Sequence, residues 1–251
     1  MKIYRFLHNR IPAVGVADGD RLIRYSGASA LDMGSPTSDS IPMDSAKLLA
    51  PVVPPKVVAV GRNYSEHARE LGNEAPSEPI IFLKPPTAVL EPGGTIIRPP
   101  QSQRVDYECE LAIVIGRRAR NVSKSQWRDY VAGFTCANDV TARDLQKKDV
   151  QFTRGKSFDT FLPLGPCIET AIDPADLSLV TRVNGEVKQN GRTSSMIFPC
   201  DFLLEFITAI MTLEPGDVIL TGTPAGVGPL VAGDRVEVEV EGIGVLRNVV
   251  A

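Results

Sequence analysis

Two glutamates stand two residues apart just before an apolar run, in the segment Asp106-Tyr-Glu-Cys-Glu110 that continues into Leu-Ala-Ile-Val-Ile115. In a β-strand the side chains alternate between faces, so Glu108 and Glu110 would lie side by side. Adjacent carboxylates repel each other unless a cation lies between them, and oxygen-only ligands suit Mg²⁺, Mn²⁺ or Ca²⁺. The pattern therefore indicates either a divalent-metal site or a solvated strand face.

A third carboxylate follows a second apolar run, 134–137, where the chain reads Asn138-Asp139. A helix is predicted to follow, with Asp139 and Arg143 one turn apart and Gln146 three residues further along. Asp139 is therefore either a functional carboxylate or the residue that begins the helix.

The segment Gly61-Arg-Asn-Tyr-Ser-Glu-His-Ala-Arg-Glu70 places an imidazole beside a carboxylate. Asn63 as N-cap and Glu66 at the third helical position predict a capping box at the start of a short helix. His67 and Glu70 then share a helix face, where the carboxylate would fix the tautomer of the imidazole and raise its basicity. This arrangement suits a general base acting on water, and an ordinary surface His–Glu pair is the alternative.

Two glycine-containing segments could bind an anionic ligand. Gly155-Lys-Ser-Phe-Asp159 either presents Lys156 as a fixed cation or leaves it solvated. In Thr221-Gly-Thr-Pro-Ala-Gly-Val-Gly228 the glycines allow backbone N–H groups to face an anion, and Thr223 adds a hydroxyl. This segment lacks the Gly-Lys-Ser/Thr of a Walker A loop, and Val231 replaces the last glycine of a dinucleotide fingerprint, so a nucleotide role is disfavoured.

Composition limits what can surround these residues. The chain has 251 residues, of which 43% are hydrophobic and 23% charged, as in an ordinary globular protein. With 27 Lys and Arg against 30 Asp and Glu, the net charge of −3 favours neither nucleic acid nor an anionic membrane as partner. His8 and His67 are the only histidines, so a zinc site built on several imidazoles is excluded within one chain. The four dispersed cysteines and the lack of a signal-peptide pattern or a long apolar run predict a cytoplasmic location.

Strands are the main elements predicted to position these residues. Residues 1–53 are expected to form a small β-rich N-terminal domain and residues 54–251 a larger domain, joined at the proline-rich segment 51–55. Short runs rich in Val, Ile and Phe predict strands at 57–60, 80–83, 111–115, 134–137, 179–183, 218–220 and 236–240. Helices are predicted at 64–71, 124–130, 142–147 and 200–211, the last with an apolar stripe that suits either the core or an interface.

Taken together and in this order, these segments resemble the fumarylacetoacetate hydrolase family, in particular its short acylpyruvate hydrolases and 2-hydroxyhepta-2,4-diene-1,7-dioate isomerases. The resemblance extends from about Lys56 to Val249. It is carried by Gly61-Arg-Asn-Tyr, Glu108-x-Glu110, Asn138-Asp-Val-Thr-Ala-Arg-Asp144, Gly155-Lys-Ser and Thr221-Gly-Thr-Pro-x-Gly-Val-Gly228. It implies an α+β fold, in which a mixed β-roll or barrel carries peripheral helices and a small N-terminal domain.

The resemblance also implies roles for individual residues. Glu108, Glu110 and Asp139 would bind one divalent ion, Mg²⁺ or else Mn²⁺ or Ca²⁺. His67 and Glu70 match a lid helix whose His–Glu pair activates water or transfers a proton. The other implied site residues are the catalytic Lys156 and the substrate-binding Arg62, Lys84, Arg143, Gln146 and Thr223.

Three functions stay open on this resemblance. We expect first a metal-dependent hydrolase that cleaves the C–C bond of 2,4-dioxo acids such as fumarylpyruvate or acetylpyruvate and releases pyruvate, in aromatic-compound breakdown. The alternatives are an isomerase or decarboxylase acting on 2-hydroxyhepta-2,4-diene-1,7-dioate, oxaloacetate or related dioic acids, and a non-catalytic protein that binds a keto acid. The family also implies a homodimer, with a small 2-oxo acid as ligand and neither nucleic acid nor membrane as partner.

Overall fold

Strands dominate the computed structural model, which describes all 251 residues. The strands as far as residue 115 are β1 (Lys2–His8), β2 (Ile11–Asp18), β3 (Arg21–Tyr25), β4 (Pro36–Pro42), β5 (Leu48–Leu49), β6 (Val57–Gly61), β7 (Ile80–Lys84), β8 (Val89–Leu90), β9 (Thr95–Ile96), β10 (Val105–Tyr107) and β11 (Cys109–Ile115). The later strands are β12 (Val131–Asn138), β13 (Thr141–Ala142), β14 (Leu162–Glu169), β15 (Ser178–Val183), β16 (Glu186–Arg192), β17 (Val218–Leu220), β18 (Gly228–Leu230), β19 (Arg235–Val240) and β20 (Gly244–Val250). All the strands predicted from the sequence are present.

Helices are few and short. The α-helices are α1 (Ser65–Glu70), α2 (Arg143–Lys148), α3 (Thr153–Lys156) and α4 (Cys200–Ile210). The 3₁₀ helices are Met43–Ser45, Pro86–Ala88, Lys124–Tyr130, Pro174–Asp176 and Thr193–Ser195. The helix predicted at 124–130 is thus a 3₁₀ helix, and its Trp127 and Tyr130 are partly buried against the core. None of the helices has the length and apolar character needed to cross a membrane.

The strands form one large sheet and two smaller ones. The large sheet has the order β4-β3-β2-β1-β14-β12-β11-β17-β6-β7, with β5 on β1 and β8 on β14. A second sheet has the order β16-β15-β19-β20-β9, and a third the order β13-β10-β18. The fold is therefore α+β, a mixed sheet-rich roll with peripheral helices, and the large sheet stays open rather than closing into a barrel.

The N-terminal strands are continuous with the rest of the molecule. β1 to β4 form an antiparallel meander, and β1 also pairs with β14, with Ile3 opposite Ile168. The predicted N-terminal unit therefore shares the large sheet with the remainder of the chain. The boundary at residues 53 and 54 falls between β5 and β6 and stays a prediction.

β11 lies at the centre of the core. It pairs with β12 on one side and β17 on the other, and all seven of its residues are buried. Leu111 and Ile113 pack into one hydrophobic cluster, whereas Ala112 and Val114 pack into a second cluster on the opposite face. Because both faces are covered, the strand is a continuous apolar run instead of an alternating one.

The helix α4 packs against this core. Leu203, Leu204 and Ile207 are buried in the same cluster as Leu111, which assigns the predicted apolar stripe to the core. Ile210, at the C-terminal end of that stripe, is 52% exposed. All four cysteines are buried and free.

Candidate active site

Strand register brings the three predicted metal ligands together. Cys109 of β11 lies opposite Asn138 of β12, so Glu108 and Asp139, the next residues beyond each strand end, are neighbours. The backbone N–H of Asp139 donates to the carbonyl of Glu108 at 2.9 Å. Ligand oxygens of Glu108, Glu110 and Asp139 all lie within 4.8 Å of one another, and the three residues are buried.

The position of Asp139 differs from the sequence prediction. The helix α2 begins only at Arg143, so Asp139 is not one helical turn before it. Thr141 and Ala142 are instead paired with β10, which keeps residues 139–142 extended or turned. The prediction of a helix through Asp139 was wrong because this long-range pairing is not visible in the local pattern.

The carboxylate triad suits a divalent cation. It offers only oxygen ligands in a buried space, which hard cations such as Mg²⁺ prefer. Burial, together with the negative charges of Asp139 and Glu108, raises the pKa of Glu110 well above its ordinary value. A bound cation would relieve this repulsion, so these residues fit the metal that the resemblance implies, and the identity of the ion stays a prediction.

Two buried lysines pair with the same carboxylates. Lys84, at the end of β7, donates to Asp139 Oδ1 at 2.5 Å. Lys156, at the end of α3, donates to Glu108 Oε2 at 2.6 Å and to Asp139 Oδ2 at 2.7 Å. Burial lowers the pKa of Lys84, whereas for Lys156 burial is outweighed by Asp139 and Glu108, which raise its pKa. Burial would also raise the pKa of Glu108, but Lys156 and Arg143 bring it below its ordinary value.

All three nitrogen atoms of the Arg143 guanidinium donate hydrogen bonds. Nη2 donates to Glu108 Oε1 at 2.6 Å, Nη1 to Gln146 Oε1 at 2.7 Å and Nε to Asp106 Oδ2 at 2.9 Å. Asp106 is completely buried and also accepts two bonds from Arg104 at 2.8 and 3.1 Å. Asp106 therefore holds Arg143 in place, a role that was not identified from the sequence although Asp106 begins the Asp-Tyr-Glu-Cys-Glu segment.

The helix α1 carries the predicted His–Glu pair. His67 Nδ1 lies 3.3 Å from Glu70 Oε2. The backbone N–H of Gly226 donates to both oxygens of Glu70, at 3.1 and 3.2 Å, and so ties the helix to the loop after β17. Burial lowers the pKa of His67 despite the opposing effects of Glu108 and Glu70. The imidazole is therefore neutral near pH 7 and able to accept a proton.

The predicted capping box at Asn63 is absent. The residue that caps α1 is Tyr64, and its side chain makes no capping hydrogen bond. The amide of Asn63 instead donates to the carbonyls of Phe198 and Thr221 at 2.9 and 2.8 Å and accepts from the N–H of Phe198 at 2.8 Å. Buried backbone groups distant in sequence thus compete successfully for the amide and anchor the base of α1.

The glycine-rich segment 221–228 directs its N–H groups at carboxylates of the protein. The N–H of Gly222 donates to Glu110 Oε2 at 2.6 Å, as that of Gly226 does to Glu70. Gly222 has φ +96° and lies against Asn63, so a side chain here would be strained and obstructed. These two N–H groups therefore face carboxylates of this chain, and the binding of an anionic ligand by the segment stays a prediction.

One cavity of about 330 Å³ unites most of the predicted site. Its lining includes Arg62, His67, Glu108, Glu110, Asp139, Arg143, Gln146, Lys156 and Thr223. Lys84 lies behind Asp139 and Glu70 behind His67, so neither lines the cavity. Phe82 and Phe152, which the sequence did not single out, form an edge-to-face pair on the wall.

Arg62 has an unusual backbone conformation at the cavity. Its φ of 58° places a non-glycine residue in the left-handed region, directly after β6. Residues in this conformation are often part of ligand-binding loops. Lys147, which follows Gln146 on α2, also lines the cavity. Like Arg62, it forms no ion pair with a carboxylate of the protein.

Comparison with known proteins identifies similar chains over the full length. The family model described as fumarylacetoacetate (FAA) hydrolase C-terminal matches residues 56–251, and the model described as Rv2993c-like, N-terminal matches residues 1–51. Among curated relatives, the mitochondrial oxaloacetate tautomerase FAHD2A of Bos taurus is 46% identical over 221 residues, which cover 83% of this chain and 70% of that protein.

Two solved structures are similar throughout. The 5-carboxymethyl-2-hydroxymuconate delta-isomerase of Mycobacterium smegmatis is 44% identical, with a TM-score of 0.92 and coverage of 100% of this chain and 99% of that chain. The 2-hydroxyhepta-2,4-diene-1,7-dioate isomerase of Mycobacterium marinum is 45% identical, with a TM-score of 0.91 and coverage of 100% and 98%.

Proposed function

The chain belongs to the fumarylacetoacetate hydrolase family, and on that premise we propose that it is a divalent-metal-dependent isomerase of 2-oxo acids. The observation that carries the proposal is the buried His67, held by Glu70, on the cavity that contains the carboxylate triad. A neutral imidazole can remove a proton from the carbon next to a carbonyl group. The enolate that results needs positive charge close to its oxygen.

The residues of this cavity can supply each part of that reaction. A divalent cation bound by Glu108, Glu110 and Asp139 would supply positive charge where the 2-oxygen becomes an enolate. Lys156 is held by two of these carboxylates and can bind the same region of the substrate. His67 takes one proton from C3, and one proton returns to an oxygen or a more distant carbon, so no co-reactant is needed.

The substrate class that we propose is a 2-oxo acid with a second carboxylate. One carboxylate would lie near Lys156 and the metal ligands, where Thr223 can donate a hydrogen bond. Arg62 and Lys147 add two further cations to the lining that no carboxylate of the protein neutralises. The names of the similar oxaloacetate tautomerase and of the two similar isomerases support the same class.

A hydrolase of acylpyruvates is the second candidate. His67 could equally activate a water that attacks a carbonyl two carbons from the 2-oxo group, after which the C–C bond breaks and pyruvate is released. The His67–Glu70 pair supports this reading, as it did from the sequence. A solved structure that is 39% identical to this chain, from Exiguobacterium antarcticum, is named a fumarylacetoacetate hydrolase, whereas the tautomerase and the two isomerases at 44–46% identity are named for proton transfer, and we therefore place isomerisation first.

Assays with two classes of substrate separate these candidates. With Mg²⁺, the purified protein should accelerate the keto–enol interconversion of oxaloacetate, followed by ultraviolet absorbance of the enol, and EDTA or Glu110→Gln should remove the effect. Acetylpyruvate and fumarylpyruvate should yield little pyruvate in a coupled lactate dehydrogenase assay. Rapid pyruvate release without isomerisation would replace our proposal by the hydrolase. Thermal stabilisation by oxalate without any turnover would replace it by a keto-acid-binding protein.

The cytoplasmic location and the homodimer expected from the sequence stay predictions. Size-exclusion chromatography with light scattering would test the second of them.

A further inference from the structure

Gln189 is a buried polar residue on a strand that otherwise faces solvent. It lies on β16, the edge strand of the five-stranded sheet, whose residues are mostly exposed. Gln189 itself is only 1% exposed. Its side chain reaches out of this sheet to the first residue of β11 and to the loop after β17, which belong to the large sheet and carry residues of the cavity.

The hydrogen bonds of Gln189 fix the orientation of its amide. Oε1 accepts from the backbone N–H of Cys109 at 3.0 Å and from the hydroxyl of Thr181 at 2.7 Å. Nε2 donates to the carbonyl of Pro224 at 2.8 Å and to Thr223 Oγ1 at 2.8 Å. A backbone N–H can only donate and a carbonyl can only accept, so reversing the amide would place like groups against each other at both ends.

This orientation determines what the hydroxyl of Thr223 can do. Its oxygen accepts the hydrogen bond from Gln189, and its own hydrogen has no acceptor in the protein. Thr223 is 2% exposed and lines the cavity, so that hydrogen is available to a ligand bound there. The next residue of the loop, Pro224, packs directly against Gly191 of β16, where a Cβ atom would lie 2.5 Å from the proline ring.

We infer that Gln189 is a positioning residue that makes Thr223 a hydrogen-bond donor towards the oxygen atoms of the substrate. The inference rests on the proposed function, since a 2-oxo acid presents carboxylate and keto oxygens, which are acceptors. Gln189 does not touch the substrate itself and acts only through Thr223. Because the Thr223 oxygen already accepts a hydrogen bond from Gln189, its hydroxyl hydrogen points away from Gln189. The hydroxyl can then donate to a substrate oxygen without first reorienting.

A double-mutant cycle on ligand binding tests the coupling. The probe is oxalate with saturating Mg²⁺, and the measurement is isothermal titration calorimetry. Thr223→Val removes a hydrogen bond to a charged acceptor and should weaken oxalate binding about 10- to 100-fold. Gln189→Met should weaken it about fivefold, and in the Thr223→Val background it should change binding less than about twofold. Additive effects would overturn the inference, because Gln189 would then act independently of the hydroxyl.

Two further variants separate polarity from packing. Gln189→Glu replaces the donor by an acceptor, so Thr223 would turn its hydrogen away from the cavity and oxalate binding should fall as far as in Thr223→Val. Thr208→Val is the matched control, because Thr208 is a fully buried threonine on α4, outside the cavity. It should lower the melting temperature without changing oxalate affinity. A Gln189→Glu variant that is folded and binds oxalate normally would overturn the inference.

A measurement without ligand keeps this inference separate from the proposed function. Neutron diffraction from deuterium-exchanged crystals of the wild-type protein should locate the Thr223 deuteron on the cavity side and two deuterons on Gln189 Nε2. A deuteron that is bound to Thr223 Oγ1 and points towards Gln189 would refute the positioning role. Failure of the wild-type protein to bind oxalate, with the deuterons as expected, would refute the proposed function alone.

Discussion

Replacement of Lys84 by methionine tests how the buried charges of the cavity are balanced. Four buried carboxylates, Asp106, Glu108, Glu110 and Asp139, are accompanied by three buried cations, Lys84, Lys156 and Arg143. The Lys84–Asp139 pair is among the least accessible in the protein, with side chains 0% and 1% exposed and 2.5 Å between Nζ and Oδ1. Methionine has a similar length but no charge, so Lys84→Met leaves Asp139 with one cation fewer.

The loss of stability follows from that burial. Removal of one partner of a buried ion pair costs about 3–5 kcal/mol, because the other charge is left without compensation. For a chain of this size each 1 kcal/mol shifts the melting temperature by about 2–4 °C, so Lys84→Met in EDTA should melt about 6–20 °C below wild type.

Divalent metal should reverse part of this loss. In the absence of metal Lys84 occupies Asp139 Oδ1, an oxygen that a cation bound at the triad would also attract. Lys84→Met removes that competition and leaves more uncompensated negative charge, so Mg²⁺ should bind at least about tenfold more tightly. This increase corresponds to about 1.4 kcal/mol, or about 3–6 °C of additional stabilisation at equal Mg²⁺.

Differential scanning calorimetry with EDTA and with Mg²⁺ measures both effects. Lys56→Met is the matched control, since Lys56 pairs with the buried Asp217 outside the cavity. It should lower the melting temperature but leave the Mg²⁺ shift equal to that of wild type. A Lys84→Met protein that melts within about 2 °C of wild type in EDTA, or whose Mg²⁺ shift is no larger than that of Lys56→Met, would refute the reasoning.

Three further predictions concern the same site. Glu110→Gln should abolish the Mg²⁺-dependent rise in melting temperature, which at a hundredfold excess over Kd amounts to about 2.7 kcal/mol, or about 5–11 °C in calorimetry. A shift that persists would contradict the proposed ligand set. Burial lowers the pKa of His67 from 6.5, so the imidazole stays neutral below that pH and the acidic limb of kcat/KM should lie below pH 6.5. An acidic limb above pH 6.5 would contradict the assignment of His67 as the base. His67→Gln should lower kcat at least about 100-fold, with the affinity for oxalate retained. Asp106→Asn should lower the free energy of unfolding in urea by about 3–5 kcal/mol because it leaves the buried Arg143 underpaired. Arg104, which also pairs with Asp106, is half-exposed, so Arg104→Gln should lower the free energy of unfolding by less than about 1 kcal/mol. Equal losses of stability in Asp106→Asn and Arg104→Gln would contradict this account.

Local patterns in the sequence were sufficient for much of the fold and for the chemistry of the site. Alternation and apolar runs predict strands because side chains of an extended chain change face at every residue. The run 236–240 shows this directly, since its valines are buried and its glutamates partly exposed. The His67-to-Glu70 spacing is likewise set within one helix, and Glu108 directly precedes the strand that contains Glu110, so the structure brings both pairs together.

Element boundaries were less predictable where long-range pairing overrides local preference. β14 contains two prolines and a glycine, which usually argue against a strand, yet it lies between β1 and β12 in the large sheet. Asn63 has the local context of a helix cap, but its amide bonds to Phe198 and Thr221 instead. The partners of Asn63 lie more than a hundred residues away, as does β1, whereas β12 is a nearer partner of β14 that still lies outside its local sequence.

The sequence by itself determined which residues could do chemistry, and only the tertiary structure decided how they are held. Gln189 sits in a polar strand that resembles a solvated edge, and Asp106 resembles one more acidic residue in a charged segment. Their roles depend on Thr223 and Arg143, which reach them through sheet register and loop packing. The physical reason is that hydrogen-bond polarity and charge compensation are properties of atoms within about 3 Å of each other, and residue spacing along the chain does not specify which distant strands will meet.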